Sequence, residues 1–177
     1  MILIRKLTSN FSYLFIFVIL VLLFIFIFFL ISTNSSSNKD IQGFVITTLD
    51  GDSIIIKDKT SKAEHIIRLY GIDSPELEQF WGKNSKSFLN GMVINKEVAI
   101  KVKGYDKYKR ILGIVYQNDK DINQIMVAKG YSWAYLYYSD TYKKEHFKAK
   151  KDKLGLWAYK AIEPYKWRKK NLKNKIQ

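Results

Sequence analysis

Hydrophobic and polar positions alternate along this chain with three different periods, and each period predicts a different kind of element. From Leu14 to Ile31, eighteen apolar residues follow one another without a break, and Phe11 lies just outside the run. A core helix would carry polar residues on one face, and this one carries none. Its length approaches the roughly 20 residues needed to cross the hydrocarbon layer of a bilayer. Thr33 to Lys39 is then polar and poor in apolar residues, the composition of a flexible tether.

Beyond the tether the period becomes two. The β-branched runs Gly43–Leu49 and Ser53–Lys57 meet across Asp50-Gly51, a strong hairpin signal. Ala63–Tyr70 supplies a third strand. Gly82–Asn90 shifts to a helical period, with Phe88 and Leu89 inward and Lys83 and Lys86 outward. Glu97–Val102 and Ile111–Tyr116 read as two further strands joined across the polar segment Gly104–Arg110. A short helix over Ile122–Ala128 ends at Gly130, a natural C′ residue, and a last helix over Thr141–Lys153 stops before Gly155. The pattern predicts an α+β domain: a five-stranded Greek-key barrel of the OB-fold type with about three helices. No internal repeat is visible; if the first and third strands are neighbours in the barrel, the carboxylates at their ends converge at one rim.

The N-terminal run decides where this domain resides. Arg5 and Lys6 precede it with no acidic residue, so residues 1–10 are expected to stay cytoplasmic and the rest of the chain to lie outside. Residues 11–32 then form a signal anchor or transmembrane helix, 33–41 the tether, 42–160 the barrel domain and 161–177 a basic C-terminal tail. A cleaved signal peptide is the competing reading, since small residues occur over Ser32–Ser37, but its apolar region is ordinarily only about 7–15 residues long. Cleavage would make the product secreted.

At 177 residues there is room for one domain plus these extras. Cysteine is absent, which excludes disulfides, thiolate metal sites and a cysteine nucleophile. His65 and His146 are the only histidines, and they are far apart, so a histidine-based zinc site or a Ser-His-Asp triad is disfavoured. Both are expected at the surface or half buried. The whole chain carries a net charge of +14; without Arg5 and Lys6, 28 basic residues still face 16 acidic ones. Such an excess suits a polyanion such as nucleic acid, anionic lipid or a wall polymer.

Chemistry concentrates in three short stretches. Asp52 follows the hairpin turn, while Asp73 and Glu76 lie just past the third strand, around Pro75. If these carboxylates converge at one rim, Asp52, Asp73 and the carbonyl of Ser74 offer the hard oxygen donors that Ca²⁺ takes. Each taken singly also reads as a turn or loop cap. Arg68 sits among Ile66, Ile67, Leu69 and Tyr70, a costly place for a charge without a partner. Its guanidinium fork matches two oxygens of a phosphate, or pairs with a carboxylate. Arg110 follows the polar turn beside Lys107, Tyr108 and Lys109, a mixture of charge and aromatic face that suits single-stranded nucleic acid. Tyr135, Tyr137 and Tyr138 either extend that platform or pack in the core.

The ordered set Asp50-Gly-Asp52-Ser53, Arg68-Leu-Tyr-Gly-Ile-Asp73-Ser74-Pro75-Glu76, Gln79-Phe-Trp-Gly82-Lys83, Asp106-Lys-Tyr-Lys-Arg110, Gly130-Tyr-Ser-Trp133 and Leu154-Gly-Leu-Trp157 resembles the staphylococcal nuclease (thermonuclease-like) family over residues 42–158. The resemblance implies an OB-fold, Ca²⁺-dependent endonuclease that cleaves DNA and RNA to 3′-phosphates. It implies Asp52 and Asp73 as cation carboxylates, with Ser74 lending a backbone carbonyl. Glu76 resembles the glutamate that orients or deprotonates the attacking water. Arg68 and Arg110 resemble the pair that binds phosphate and stabilises the transition state, and Lys107 and Tyr108 the neighbours on the phosphate side. Ser74 stands where threonine is common in the family, and the stretch Tyr131–Tyr138 leaves the nucleotide-stacking tyrosine unassigned.

A monomer is expected. Two rivals remain: a catalytically inactive OB-fold module that binds nucleic acid at the membrane, and a membrane-anchored structural protein. In the latter, the tail Tyr165–Lys175 would grip anionic lipid or wall polymer; alternatively, it would extend the nucleic-acid track. That tail also reads as a frayed, solvated end.

Overall fold

The structure is a computed structural model that describes residues 17–28 and 40–174. The chain divides into two compact units, Met1–Ser37 and Asn38–Gln177. In the first, residues 17–28 form helix α1, whose side chains are exposed and apolar all round. Among the described residues no helix is long and apolar enough to cross a membrane, and the rest of the expected span 11–32 lies outside them. The tether, apart from Asp40 and Ile41, also lies outside the described residues.

The second unit is built on β1 (Ile41–Thr48), β2 (Ser53–Asp58), β3 (Glu64–Leu69), β5 (Glu97–Tyr105) and β6 (Ile111–Gln117), with two-residue strands β4 (Ile72–Asp73), β7 (Lys120–Asp121) and β8 (Trp133–Ala134) added. The five long strands close on themselves. The order β3-β2-β1-β5-β6 is completed by a pairing of β3 with β6, parallel at Ile67↔Ile111, Arg68↔Leu112 and Leu69↔Gly113. Closure removes the free edges an open sheet of this size would expose. β5 pairs with β1 along one edge and β6 along the other, and a bulge between Val102 and Gly104 bends it.

The predicted five-stranded barrel is therefore present, with one correction to its strand order. β1 and β3 are not neighbours; β2 lies between them, paired to each. Strand order is a long-range property that alternation within a strand does not encode.

Alternation does decide which side chains point inward. Val45, Ile54, Ile56, Ile67, Leu69, Ile100 and Val115 are buried from the strands. Leu89 and Val93 of α2 (Gly82–Val93) and Ile122, Met126 and Val127 of α3 (Ile122–Ala128) pack against them. Full burial of each such side chain is worth about 1.5–3 kcal/mol. α3 begins where Asp121 accepts from the Gln124 N–H at 2.8 Å, and Gly130 beyond its end adopts φ +71°, as expected of a C′ glycine.

Buried Asn123 staples α3 to the barrel. It accepts from Val115 N–H at 3.1 Å and donates to the carbonyls of Tyr70 at 2.9 Å and Gly113 at 3.1 Å.

Two further elements depart from expectation. α4 spans Lys143–Lys151, shorter at both ends than Thr141–Lys153, and buries His146 against Trp157. His146 Nδ1 accepts the Ala134 N–H at 3.2 Å, so this histidine is a core residue rather than a surface one. After a 3₁₀ turn at Gly155–Ala158, the expected frayed tail instead forms helix α5 (Pro164–Asn174). The barrel unit thus has four α-helices rather than three.

Candidate active site

Asp52, Arg68, Asp73, Ser74 and Glu76 are brought together by the register of two strands. Ser53 at the start of β2 faces Arg68 of β3, so Asp52 arrives beside the Arg68 side chain. The chain then turns at Tyr70-Gly71 and enters β4, which delivers Asp73 to the same place. Inward-pointing Ile67 and Leu69 leave Arg68 on the opposite face of β3, where its side chain is 15% exposed.

Arg68 is the hub. Its Nη1 lies 3.2 Å from Asp52 Oδ1 and donates to the carbonyls of Leu69 at 3.0 Å and Ile72 at 2.9 Å. Its Nη2 donates to Asp73 Oδ1 at 3.2 Å. Among the described residues, none accepts from its Nε–H. Of the two readings of Arg68, phosphate fork or carboxylate partner, the structure shows the ion pair, made with two carboxylates rather than one.

Asp52 is held on its other side by the Ser74 backbone N–H, 2.5 Å from Oδ2. The Ser74 hydroxyl donates to the Gly51 carbonyl at 2.8 Å and shares a short hydrogen bond with the Ser132 hydroxyl. Burial pushes the Asp52 carboxyl up to about 8, against the pull of Arg68 and with help from Asp50 and Asp73. A buried carboxyl in that condition has less positive charge around it than it would use.

Glu76 is half exposed. Its backbone N–H donates to Gln79 Oε1 at 3.2 Å, while Gln79 Nε2 reaches the Ile162 carbonyl at 2.5 Å. Gln79 therefore ties the Glu76 loop to the segment leading into α5. From α5 itself, Arg168 enters the site. Its Nη1 donates to Glu76 Oε1 at 2.8 Å and Asp73 Oδ1 at 3.2 Å, and its Nη2 to Asp73 Oδ2 at 3.0 Å. Burial opposes the charge on Arg168, but its hydrogen bonds to these two carboxylates raise its hold on the proton. No reading of the tail as solvated or lipid-binding anticipates this contact. Pro164 at the first helical position was the available signal.

Arg110, Lys107 and Tyr108 form a second group, which no described contact joins to the first. Arg110 Nε donates to Asp106 Oδ2 at 2.7 Å, and its guanidinium lies 5.6 Å from the Tyr108 ring. Lys107 Nζ stands 5.0 Å from the same ring. Despite some cost of burial, hydrogen bonds from Arg110 and from the Tyr108 N–H hold the Asp106 carboxyl below its usual range. The turn sits close by all the same, because Ile111, next to Arg110, pairs with Ile67, next to Arg68. Of the tyrosines, Tyr137 and Tyr138 are exposed and packed edge to face at 5.2 Å. Tyr135 is half buried; burial and the nearby Asp73 raise its hydroxyl pKa.

Among the described residues, no three Asp, Glu, His or Cys side chains are grouped so as to hold a metal ion. The side-chain donors for a hard cation are Asp52 and Asp73, with carbonyl and water oxygens left to complete the shell. The chemistry of the pair still fits such an ion: both are buried oxygen donors, both contact one guanidinium, and Asp52 is short of positive charge.

Comparison with known proteins agrees with the geometry. The family described as "Staphylococcal nuclease homologue" matches residues 66–159. The chain is 37% identical over 146 residues to a micrococcal nuclease of Shigella flexneri, covering 73% of this chain and 82% of that one. It is 38% identical over 128 residues to an uncharacterized endonuclease of Haemophilus influenzae, covering 71% of each. It is also 31% identical over 147 residues to Protein ParB of Escherichia coli, covering 75% of this chain and 81% of the relative. A closed OB-type barrel, the clustered carboxylates and guanidiniums at its rim, and matches of this extent place the chain in the staphylococcal nuclease family.

Proposed function

We propose that this protein is a membrane-anchored, Ca²⁺-dependent endonuclease that hydrolyses DNA and RNA and leaves 3′-phosphate ends. Membership of the nuclease family makes it a phosphodiester hydrolase. The observation that carries the finer reading is the Arg68 guanidinium bridging two buried carboxylates, with Glu76 on the loop that follows.

The roles divide as follows. Glu76 orients, or takes a proton from, the water that attacks phosphorus. Arg68 offers its Nε edge to a non-bridging phosphate oxygen. Arg110 leaves Asp106 to bind the same phosphate, and assists the 5′-oxygen as its bond to phosphorus breaks. Lys107 and Tyr108 hold the strand beside it. Asp52, Asp73 and the Ser74 carbonyl would hold the cation, which when bound would supply charge neutralisation at the phosphate oxygens. Negative charge builds on phosphorus during attack, and fixed guanidiniums meet it without reorganisation.

The unbroken apolar run Leu14–Ile31 and the basic pair before it support an anchor over residues 11–32, with the barrel unit outside the cytoplasm. There Ca²⁺ is present at roughly the millimolar level that weak extracellular sites use. The test is turnover of Glu76→Gln and Arg110→Ala on single-stranded DNA. Each is expected to lose about 10²–10³-fold while the circular dichroism spectrum is retained. Unchanged turnover in either folded variant would falsify these assignments.

A further inference from the structure

Arg168 does something no part of the barrel requires. It sits 95 residues after Asp73 in sequence, yet caps both oxygens of that carboxylate and one of Glu76. We propose that α5 is a tethered competitor of the divalent cation. In the absence of cation the Arg168 guanidinium occupies Asp73 and Glu76, and cation binding expels it. This inference rests on the reading of Asp73 as a cation ligand.

The geometry makes the two occupants exclusive. Both Asp73 oxygens already accept from Arg168, at 3.2 and 3.0 Å, and Oδ1 also accepts from Arg68. A hard cation takes carboxylate oxygens at about 2.3–2.6 Å. Seated on Asp73, it would stand against a guanidinium already in contact with the same oxygens. Like charges at that separation repel strongly where water is scarce. Arg68 is fixed by two backbone carbonyls and cannot give way. Arg168 has no such backbone acceptor among the described residues, so it is the group that moves.

The helix that carries it is built to leave. Tyr165, Lys166, Lys169, Lys170 and Leu172 are exposed, so most of α5 forfeits little packing on release. Its base is retained by the Gln79–Ile162 hydrogen bond and by buried Pro164. α5 carries no acidic residue within Pro164–Asn174, so nothing on the helix itself offers Arg168 an alternative partner. While Arg168 is in place, Glu76 is also engaged, so one contact blocks both the cation carboxylate and the proposed base. The consequence is a threshold: the site assembles only above a cation concentration that Arg168 sets.

The experiment is calorimetric titration of CaCl₂, without nucleic acid, into the full-length protein and Arg168→Gln in mild detergent. The variant is expected to bind about tenfold tighter or more, since the cation no longer displaces a guanidinium. In the wild type, hydrogen exchange over 164–172 is expected to speed up at saturating Ca²⁺, a readout that does not depend on the variant folding. Equal or weaker Ca²⁺ binding by Arg168→Gln, or greater protection of 164–172 with Ca²⁺, overturns the proposal and leaves the nuclease reading intact. Absence of Ca²⁺ binding by both proteins overturns the cation reading, and this inference with it.

Discussion

Replacing Arg68 by Gln separates the structural from the chemical work of this site. In the folded protein the guanidinium contacts Asp52 and Asp73 and satisfies the Leu69 and Ile72 carbonyls. Its loss leaves buried Asp52 without its guanidinium, Asp73 with Arg168 alone, and at least one carbonyl without a donor. Breaking a buried ion pair from one side costs about 3–5 kcal/mol, against a total stability on the order of 5–15 kcal/mol. With a urea m-value near 2 kcal/mol/M, the midpoint in chelator should fall by roughly 2 M. Ca²⁺ then supplies the missing charge. At a hundred times its dissociation constant a ligand stabilises by about 2.7 kcal/mol, and the variant should bind more tightly than the wild type because its carboxylates have lost a competitor for their charge. The gap between the two proteins should therefore narrow in Ca²⁺. The assay is urea unfolding by circular dichroism on both full-length proteins, with and without Ca²⁺. A variant within about 0.5 kcal/mol of the wild type in chelator, or a gap that widens in Ca²⁺, would refute the reasoning.

Other consequences follow from single contacts. A Cβ at Gly82 would collide with the Glu76 carbonyl oxygen and lie 2.7 Å from its carbonyl carbon. Gly82→Ala must therefore push the Glu76 loop aside, and a displacement near 1 Å can cost on the order of 10²-fold in turnover; wild-type rates in this variant would contradict the placement of Glu76. Burial, with Lys150 adding to it and Glu163 opposing, lowers the His146 pKa from its ordinary value of 6.5. The folded state thus resists a proton that the unfolded chain accepts, so this contribution is full above pH 6.5 and is lost as pH falls below it. In His146→Gln the urea midpoint should vary less between pH 7 and pH 5 than in the wild type, and an unchanged slope would refute it. Asn123→Ala strands the Val115 N–H and the Tyr70 carbonyl, while the Gly113 carbonyl keeps the Tyr70 N–H, at about 1–3 kcal/mol per unmet group, measurable as a lowered urea midpoint.

The barrel was readable because its strands keep apolar residues at the inward positions, as at Ile54 and Ile56 of Ser53–Asp58 and Ile67 and Leu69 of Glu64–Leu69. The position of Arg68 between inward Ile67 and Leu69 likewise marked it as a charge with a task. Strand neighbours were not readable: Asp52 reaches Arg68 through the β2–β3 register, not through adjacency of β1 and β3. Helix α5 was not readable because Tyr165–Lys175 has no apolar stripe, only a run of cations after Pro164. What orders it is a tertiary ion pair, formed with residues some ninety positions earlier. Arg110, which the family resemblance pairs with Arg68 at the phosphate, has its guanidinium turned to Asp106, four residues before it. A local partner of that kind is visible in the sequence Asp106–Arg110, but the sequence does not say which partner wins.

The most direct test of the account is cleavage by the full-length protein, in mild detergent, of single-stranded DNA and RNA in Ca²⁺ and separately in chelator. The account predicts cleavage of both only in Ca²⁺, with products ending in 3′-phosphates. Tight binding without cleavage, or cleavage that persists in chelator, would contradict it.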